Sequence, residues 1–127
     1  MNLDRRELAA IFAGGFVGAV ARAELVTALP AQPGRWPWAT FIVNISGAFL
    51  LGYFATRLQE RLPVSAYRRP LLGTGLCGAF TTFSTWALES HRLGEDGELP
   101  RGVANFAVSL MLGVTAAWAG RHLGLAL

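Results

Sequence analysis

The sequence contains no lysine and few charges of either sign. All eleven basic residues among the 127 are arginines, eight residues are acidic, and charged residues make up 15% of the chain. A soluble domain usually carries about 25%. The arginines are spread over predicted helix ends and loops, without the basic stripe that marks a nucleic-acid-binding surface. We therefore expect them to anchor helices at a membrane surface, and we expect no nucleic-acid partner.

Several kinds of chemistry are excluded by what else is scarce. The single cysteine, Cys77, rules out an intramolecular disulfide framework, and no Cys/His spacing matches a zinc site. Neither histidine, His91 or His122, has a nucleophile partner in the sequence pattern. The phosphate-binding pattern GxxxxGK[ST] does not occur. These absences argue against an enzyme and against ATP-driven transport.

Long windows without charge are the main positive feature. Residues 36–56, 70–88 and 102–120 contain no charged side chain, and residues 8–29 contain only Arg22 and Glu24. Because a bilayer core of about 30 Å needs about 20 helical residues, the pattern predicts an all-α membrane protein with four transmembrane helices. We interpret residues 1–127 as one transmembrane domain. The predicted helices span about residues 7–29, 38–57, 70–90 and 102–122.

The first window has an alternative interpretation as a cleaved signal peptide. Asp4 and Glu7 stand beside Arg5 and Arg6 at its start, whereas a signal peptide begins with a positively charged region. The apolar run also continues past the length of a short signal core. A transmembrane helix is therefore the favoured interpretation.

Three predicted helices carry a stripe of small and polar residues at four-residue spacing. Such stripes are typical of close helix packing in membranes, and packing is the simplest role for Gly14, Gly18, Gly52 and Gly113. The amides could be interhelical hydrogen-bonding groups or functional ones. Arg22 either faces protein or water within the span or extends to the membrane surface. The stripes are Gly14, Gly18 and Arg22; Thr40, Asn44, Ala48 and Gly52; and Asn105, Ser109, Gly113 and Ala117.

The third predicted helix contains an unusual segment, GTGLCGAFTTFSTWALES at residues 73–90. Its glycines weaken a helix, and a break there would expose carbonyl oxygens that suit a small cation. Phe80 and Phe83 are three residues apart, which would place them on one helical face among threonine and serine hydroxyls. Aromatic edges are electropositive, so this pattern suits an anion. The alternative is that both rings only pack.

Three motifs resemble those of one family. GLCGAFTTFSTW (residues 75–86), FIVNISGAFLLG (residues 41–52) and GGFVGAVAR (residues 14–22) are similar to the signatures of Fluc-type fluoride channels, the CrcB family. Chain length, helix number and motif order also agree. The resemblance implies a fluoride-selective ion channel that exports cytoplasmic fluoride passively down its electrochemical gradient and protects the cell from fluoride toxicity.

The resemblance also assigns roles to individual residues. It implies that phenylalanine rings, a helix-2 amide, hydroxyl groups and a vestibule arginine line the fluoride pore. It further implies a structural Na⁺ bound by the backbone carbonyls of Gly75 and Gly78. Asn105 stands where some relatives have a tyrosine. The implied pore residues are Phe80, Phe83, Asn44, Thr82, Ser84, Ser109 and Arg22.

Relatives of this type are antiparallel, dual-topology homodimers in the bacterial inner membrane, with two pores and the Na⁺ at the dimer interface. The resemblance therefore implies a multi-pass inner-membrane protein whose two copies insert in opposite orientations. The arginines are unevenly divided, with seven on the N-terminal side of the predicted membrane and three on the other. This bias favours a cytoplasmic N-terminus under the positive-inside rule, so a single orientation stays open.

Two other functions fit a small four-helix membrane protein. A small multidrug exporter needs a buried glutamate in the middle of its first helix, but residues 14–18 read GGFVG. A membrane scaffold subunit that transports nothing would explain the small-residue stripes. It would not explain the clustered phenylalanines and hydroxyl groups or the intramembrane asparagines.

Overall fold

The computed structural model describes residues 4–58 and 68–126, and every regular element among them is helical. Three of these helices, α1, α2 and α5, are long and apolar enough to cross a membrane. This finding agrees with the prediction of an all-α membrane protein. The elements are α1 (Arg5–Ala28), α2 (Trp38–Thr56), α3 (Pro70–Cys77, wound as a π-helix, then Gly78–Phe80, one α-helical turn), α4 (Phe83–Glu95) and α5 (Leu99–Ala126).

The first two helices begin and end within two residues of their predicted bounds. Asp4 caps α1 by accepting a hydrogen bond from the Arg6 N–H at 2.9 Å. The last helix begins three residues earlier and ends four residues later than predicted. Pro100 lies in its first turn, where a missing N–H costs nothing. The segment between the third and fourth predicted helices is therefore reduced to a short turn between α4 and α5. The segment between the second and third predicted helices lies mostly outside the described residues.

The third span differs from a single helix over residues 70–90. The glycine segment stays helical but is wound as a π-helix, in which the Gly78 N–H reaches the Gly73 carbonyl five residues earlier. The chain leaves helical geometry further on, at Thr81 and Thr82. The interruption thus follows the glycines, whereas the sequence had suggested a break among them.

Glycines bring the helix backbones into close contact. A methyl group on Gly14 would overlap the Leu71 carbonyl oxygen, and one on Gly18 would overlap the Leu76 carbonyl oxygen, so α1 lies directly against the π-helical part of α3. Gly52 of α2 meets the Ala117 carbonyl oxygen of α5 in the same way. The packing interpretation of these three glycines is confirmed.

Gly113 of α5 does not share that role. No neighbouring atom of the described residues lies within 4 Å of the position that its Cβ would take. The four-residue spacing therefore misled the prediction here. Gly113 lies instead on the wall of an open cleft, described below.

Candidate functional site

The interruption between α3 and α4 is held by a side chain of α2. Thr81 (φ −84°, ψ 158°) and Thr82 (φ −147°, ψ 123°) are both extended. The Asn44 Nδ2 donates to the Thr82 carbonyl at 2.9 Å, and the Thr82 N–H donates to the Asn44 Oδ1 at 2.9 Å. A bilayer core offers no water to satisfy unpaired backbone groups. Asn44 instead supplies hydrogen-bond partners for both the N–H and the carbonyl of Thr82. The amide therefore has a defined structural role.

The threonine hydroxyls complete the two ends of the interruption. The Thr81 hydroxyl donates to the Cys77 carbonyl at 2.9 Å, which closes the end of α3. The Thr82 hydroxyl accepts from the Thr85 N–H at 3.3 Å and so caps the start of α4. As a hydroxyl has one hydrogen and two lone pairs, Thr82 keeps its hydrogen for another acceptor.

A cleft of about 360 Å³ opens beside the interruption, and we call it the first cleft. Asn44, Thr82 and Phe83 lie on its wall together with Cys77 and Gly78. Phe83 is 70% exposed, so its ring lies at the surface of the single chain. No charged residue of the described chain lines this cleft.

Phe80 and Phe83 do not share one helical face. The extended residues Thr81 and Thr82 separate them, so Phe80 ends α3 and Phe83 begins α4. Phe80 lies against α2, where its Cδ1 is 3.3 Å from the position that a Cβ of Gly47 would take. The prediction of a common face was wrong because it assumed an unbroken helix through the threonines.

A second cleft, of about 280 Å³, lies between α2, α4 and α5. It shares Asn44 and Trp86 with the first cleft, and its wall includes Ser109 and Gly113. The Ser109 side chain is only 6% exposed, and its hydroxyl donates to the Asn105 Oδ1 at 3.3 Å. The charged residues of the described chain are absent from this wall too. The two clefts therefore meet at one amide and one tryptophan.

The donors around these clefts suit a small anion. Asn44 has two N–H groups, of which one bonds the Thr82 carbonyl, so a second remains for a ligand. Thr82 keeps its hydroxyl hydrogen, and Ser109 has a hydroxyl hydrogen that now points to Asn105. Neutral donors can replace part of an anion's hydration without the strong binding that would prevent its release.

Sequence reasoning left the role of Asn105 open, and it overlooked the neighbours of this residue. Asn105 is fully buried (0% exposed), and its Nδ2 donates to the Ser90 hydroxyl at 2.8 Å. The Trp86 Nε1 donates to the Asn105 carbonyl at 3.4 Å, while the Trp86 ring stacks on Phe106 with centroids 4.4 Å apart. The spacing of Trp86 and Ser90, four residues apart, was the available signal that both face α5.

A second contact between α2 and α4 also went unpredicted. Thr40 is 3% exposed, and its hydroxyl donates to the Glu89 Oε1 at 3.1 Å. The Glu89 Oε2 is buried and has no hydrogen-bond partner among the described residues. The four-residue stripe of α2 had singled out Thr40, but nothing in the sequence paired it with a glutamate of α4. The pair places a carboxylate near the end of the span.

Arg22 and Ser84 lie apart from both clefts. Arg22 is partly exposed near the end of α1 and forms no hydrogen bond or ion pair with any described residue, Glu24 included. Ser84 is exposed on the first turn of α4. The fold thus brings Asn44, Thr82 and Phe83 together, with Ser109 nearby, and leaves these two outside.

Gly75 and Gly78 differ in their surroundings. Gly75 is packed against α1, where a Cβ would lie 2.6 Å from the Ile11 carbonyl oxygen. Its own carbonyl accepts from the Gly78 N–H. Gly78 lines the first cleft, and the Thr82 N–H that would bond its carbonyl in a continuous α-helix bonds Asn44 instead. The Gly78 carbonyl is thereby released from its regular helical partner, as a cation ligand would require.

Comparison with known proteins decides the family. The model of the family described as CrcB-like protein, Camphor Resistance (CrcB), matches residues 9–121. The chain belongs to the CrcB-like family. It is 58% identical over 115 residues to "Fluoride-specific ion channel FluC 1" of Mycobacterium bovis, which covers 91% of this chain and 87% of that relative. The resemblance inferred from the three motifs is confirmed.

More distant CrcB-like relatives carry the same kind of name. "Fluoride-specific ion channel FluC 2" of Symbiobacterium thermophilum is 42% identical over 119 residues, with 91% of this chain and 95% of the relative covered. "Fluoride-specific ion channel FluC 1" of Streptomyces coelicolor is 40% identical over 111 residues, with 87% and 72% covered. The family match over residues 9–121 includes every residue that lines either cleft.

Proposed function

We propose that this protein is a fluoride-selective ion channel that lets cytoplasmic fluoride leave the cell passively and so protects the cell from fluoride toxicity. The single observation that carries the proposal is the Asn44–Thr82 pairing, which holds an extended, donor-rich segment beside an exposed Phe83. Membership of the CrcB-like family, with curated relatives named fluoride-specific ion channels, supports the same function.

In this mechanism, neutral groups replace the hydration shell of fluoride in steps. The free N–H of Asn44 and the hydroxyl of Thr82 bind the ion in the first cleft, and the Phe83 ring presents an electropositive edge to it. Ser109 receives the ion in the second cleft, and Phe80 lines the ion path where a second copy of the chain would contact the first. Ser84 and Arg22 act at the ends of the path, where Arg22 attracts anions. The inside-negative membrane potential drives the export.

The rival functions gain no support. An exporter of cationic drugs needs an acid in the middle of α1, and Glu24 lies near the end of that helix. A scaffold subunit needs no extended segment or donor-lined clefts. The named relatives are ion channels, and an ion channel is not an enzyme, in agreement with the prediction from the sequence.

We also propose that the protein acts as an antiparallel, dual-topology homodimer, a multi-pass protein of the bacterial inner membrane. Both clefts open on the surface of the single chain, and lipid cannot satisfy the hydrogen-bonding groups of Asn44 and Thr82. A second copy would cover them and complete two pores. A structural Na⁺ at the dimer interface would be held by the carbonyls of Gly75 and Gly78. A backbone carbonyl has two lone pairs, and the Gly78 carbonyl has lost its regular helical partner.

Removal of Na⁺ tests the assembly. The purified protein in mild detergent is expected to have the mass of a dimer of 13.6-kDa chains in Na⁺, and to dissociate when N-methyl-D-glucamine replaces Na⁺. Light scattering coupled to size exclusion gives the mass. Carboxyl-terminal fusions to a fluorescent protein and to alkaline phosphatase report the two orientations, and both should be active. A monomer in Na⁺, or activity of only one fusion, contradicts the proposed assembly.

Fluoride efflux from liposomes tests the function. Liposomes loaded with potassium fluoride should release fluoride rapidly after valinomycin is added, as recorded by a fluoride electrode, while chloride-loaded liposomes should not release chloride. Phe80→Ile and Phe83→Ile keep apolar bulk but remove the aromatic edge, so each should lower the rate by about 10-fold or more, equivalent to about 1.4 kcal/mol. Folded wild-type protein that releases no fluoride would contradict the proposal and favour the scaffold function.

A further inference from the structure

The hydrogen bonds between α4 and α5 form a small cluster made of Trp86, Ser90, Asn105 and Ser109. Asn105 is its centre: the side-chain amide donates to Ser90, its Oδ1 accepts from Ser109, and its backbone carbonyl accepts from Trp86. Asn105 has no exposed surface and lines neither cleft. It can therefore act on an ion only through its neighbours.

Ser109 is the one member of this cluster whose hydroxyl group has two competing uses. A serine hydroxyl carries a single hydrogen, and that hydrogen is directed to the Asn105 Oδ1 at 3.3 Å. At the same time Ser109 lies on the wall of the second cleft beside Asn44. While the bond to Asn105 exists, the cleft faces only the lone pairs of the Ser109 oxygen, which repel an anion.

We propose that Asn105 is a positioning residue that competes with fluoride for the hydroxyl hydrogen of Ser109. The proposal rests on the fluoride-channel function given above. Without an ion, the hydrogen stays on the Asn105 Oδ1. When fluoride enters the second cleft, the hydroxyl turns about its C–O bond and donates to the ion, and it returns to Asn105 when the ion leaves.

The length of the bond makes this exchange possible. At 3.3 Å, the Ser109–Asn105 distance is longer than the usual O–H···O distance of about 2.7–2.8 Å. The bond from Asn105 to Ser90 is 2.8 Å, so the amide is firmly fixed on the side of α4. Asn105 thus stays in place while Ser109 changes partner, and it weakens fluoride binding enough for the ion to move on.

Removing the competing acceptor should tighten fluoride binding. Asn105→Leu keeps a similar side-chain volume but has no acceptor for Ser109, and the concentration of fluoride that gives half-maximal efflux should fall about 3- to 10-fold, as expected for one net hydrogen bond. The same change made together with Ser109→Ala should produce no fall. A purely structural role would lower the maximal rate in both backgrounds and leave the half-maximal concentration unchanged.

A gentler variant covers the case in which Asn105→Leu does not fold. Ser90→Ala removes the partner that fixes the Asn105 amide, so the same shift should appear at a smaller size, about 2-fold, and should again vanish with Ser109→Ala. No shift with either folded variant, or an equal shift with and without Ser109, would overturn the proposal.

A second readout does not depend on conduction. In a double-mutant cycle of Asn105→Ala and Ser109→Ala, thermal unfolding in detergent should be non-additive in chloride and additive in saturating fluoride, since bound fluoride takes the hydrogen from Asn105. Non-additivity that is the same in both salts would overturn the proposal. If the wild type binds fluoride in this assay but conducts none in liposomes, the channel function fails. The proposed competition between Asn105 and fluoride for the Ser109 hydroxyl hydrogen then still stands.

Discussion

Asn44→Ala is expected to lower the rate of fluoride efflux by about 100-fold or more. The change leaves the N–H and the carbonyl of Thr82 without their partners, and each unsatisfied buried polar group costs about 1–3 kcal/mol. The extended segment at Thr81–Thr82 would move to regain hydrogen bonds, and the free N–H offered to the ion would be lost as well. The initial rate of fluoride release per reconstituted channel measures the effect.

Two further variants separate the amide from general damage to α2. Ser46→Ala removes a hydroxyl that bonds the Ile42 carbonyl within the same helix at 2.6 Å, so it should conduct like the wild type. Asn44→Asp keeps an acceptor for the Thr82 N–H but loses the donor to the Thr82 carbonyl and adds a negative charge, so it should be inactive. An Asn44→Ala protein that elutes as the wild type does and conducts within about threefold of it would disprove the role given to Asn44.

Gly14→Ala is expected to destabilise the fold strongly, by about 1–3 kcal/mol or more. The added methyl group would overlap the Leu71 carbonyl oxygen and approach the Leu76 nitrogen to 2.9 Å. Both are backbone atoms, which cannot turn aside as a side chain does, so α1 and α3 would have to separate. Unfolding in a denaturing detergent, followed by circular dichroism, measures the loss.

Gly113→Ala is the matched control for this substitution. It also adds one methyl group to a transmembrane helix, but no neighbouring atom of the described residues lies within 4 Å of that position. Alanine favours helix by up to about 1 kcal/mol over glycine, so the control should be as stable as the wild type or more so. Equal destabilisation by both variants would show that the close approach of α1 to α3 does not hold the fold together.

The sequence predicted the helices better than the site. Windows with few or no charges located α1 and α2 closely, because a span must keep charges out of the bilayer. The predicted start of α5, at residue 102, leaves out Pro100, although proline is tolerated in a first helical turn. Small-residue spacing identified Gly14 and Gly52 as packing positions, but it could not show that Gly113 faces open space.

The third span shows the limit of periodicity. A helical period through Phe80 and Phe83 put both rings on one face, whereas two extended threonines separate them. The π-helical winding and the position of the interruption depend on α1 packing and on the Asn44 amide, and both are tertiary contacts. The four-residue stripe of α2 did select Asn44, yet its partner, the backbone of Thr82, left no trace in the sequence pattern.

The pairings around α4 could not be predicted for a similar reason. The sequence places Trp86 and Ser90 in the segment at residues 73–90, and Asn105 where some relatives have a tyrosine, but it indicates no partner for any of the three. Their hydrogen bonds join residues 15 and 19 positions apart. These residues lie on either side of the turn between α4 and α5, which is shorter than the predicted helix bounds implied. Which residues of α4 face α5 depends on that turn.

Ion selectivity in a planar bilayer is the most direct measurement of the central claim. With fluoride on one side and an equal concentration of chloride on the other, a fluoride-selective channel gives a large reversal potential. Its sign is the one expected when fluoride is the permeant ion. A passive pore also keeps this value when a pH difference is imposed. A reversal potential near zero, or one that follows the proton gradient, would show that the protein is not a fluoride-selective channel.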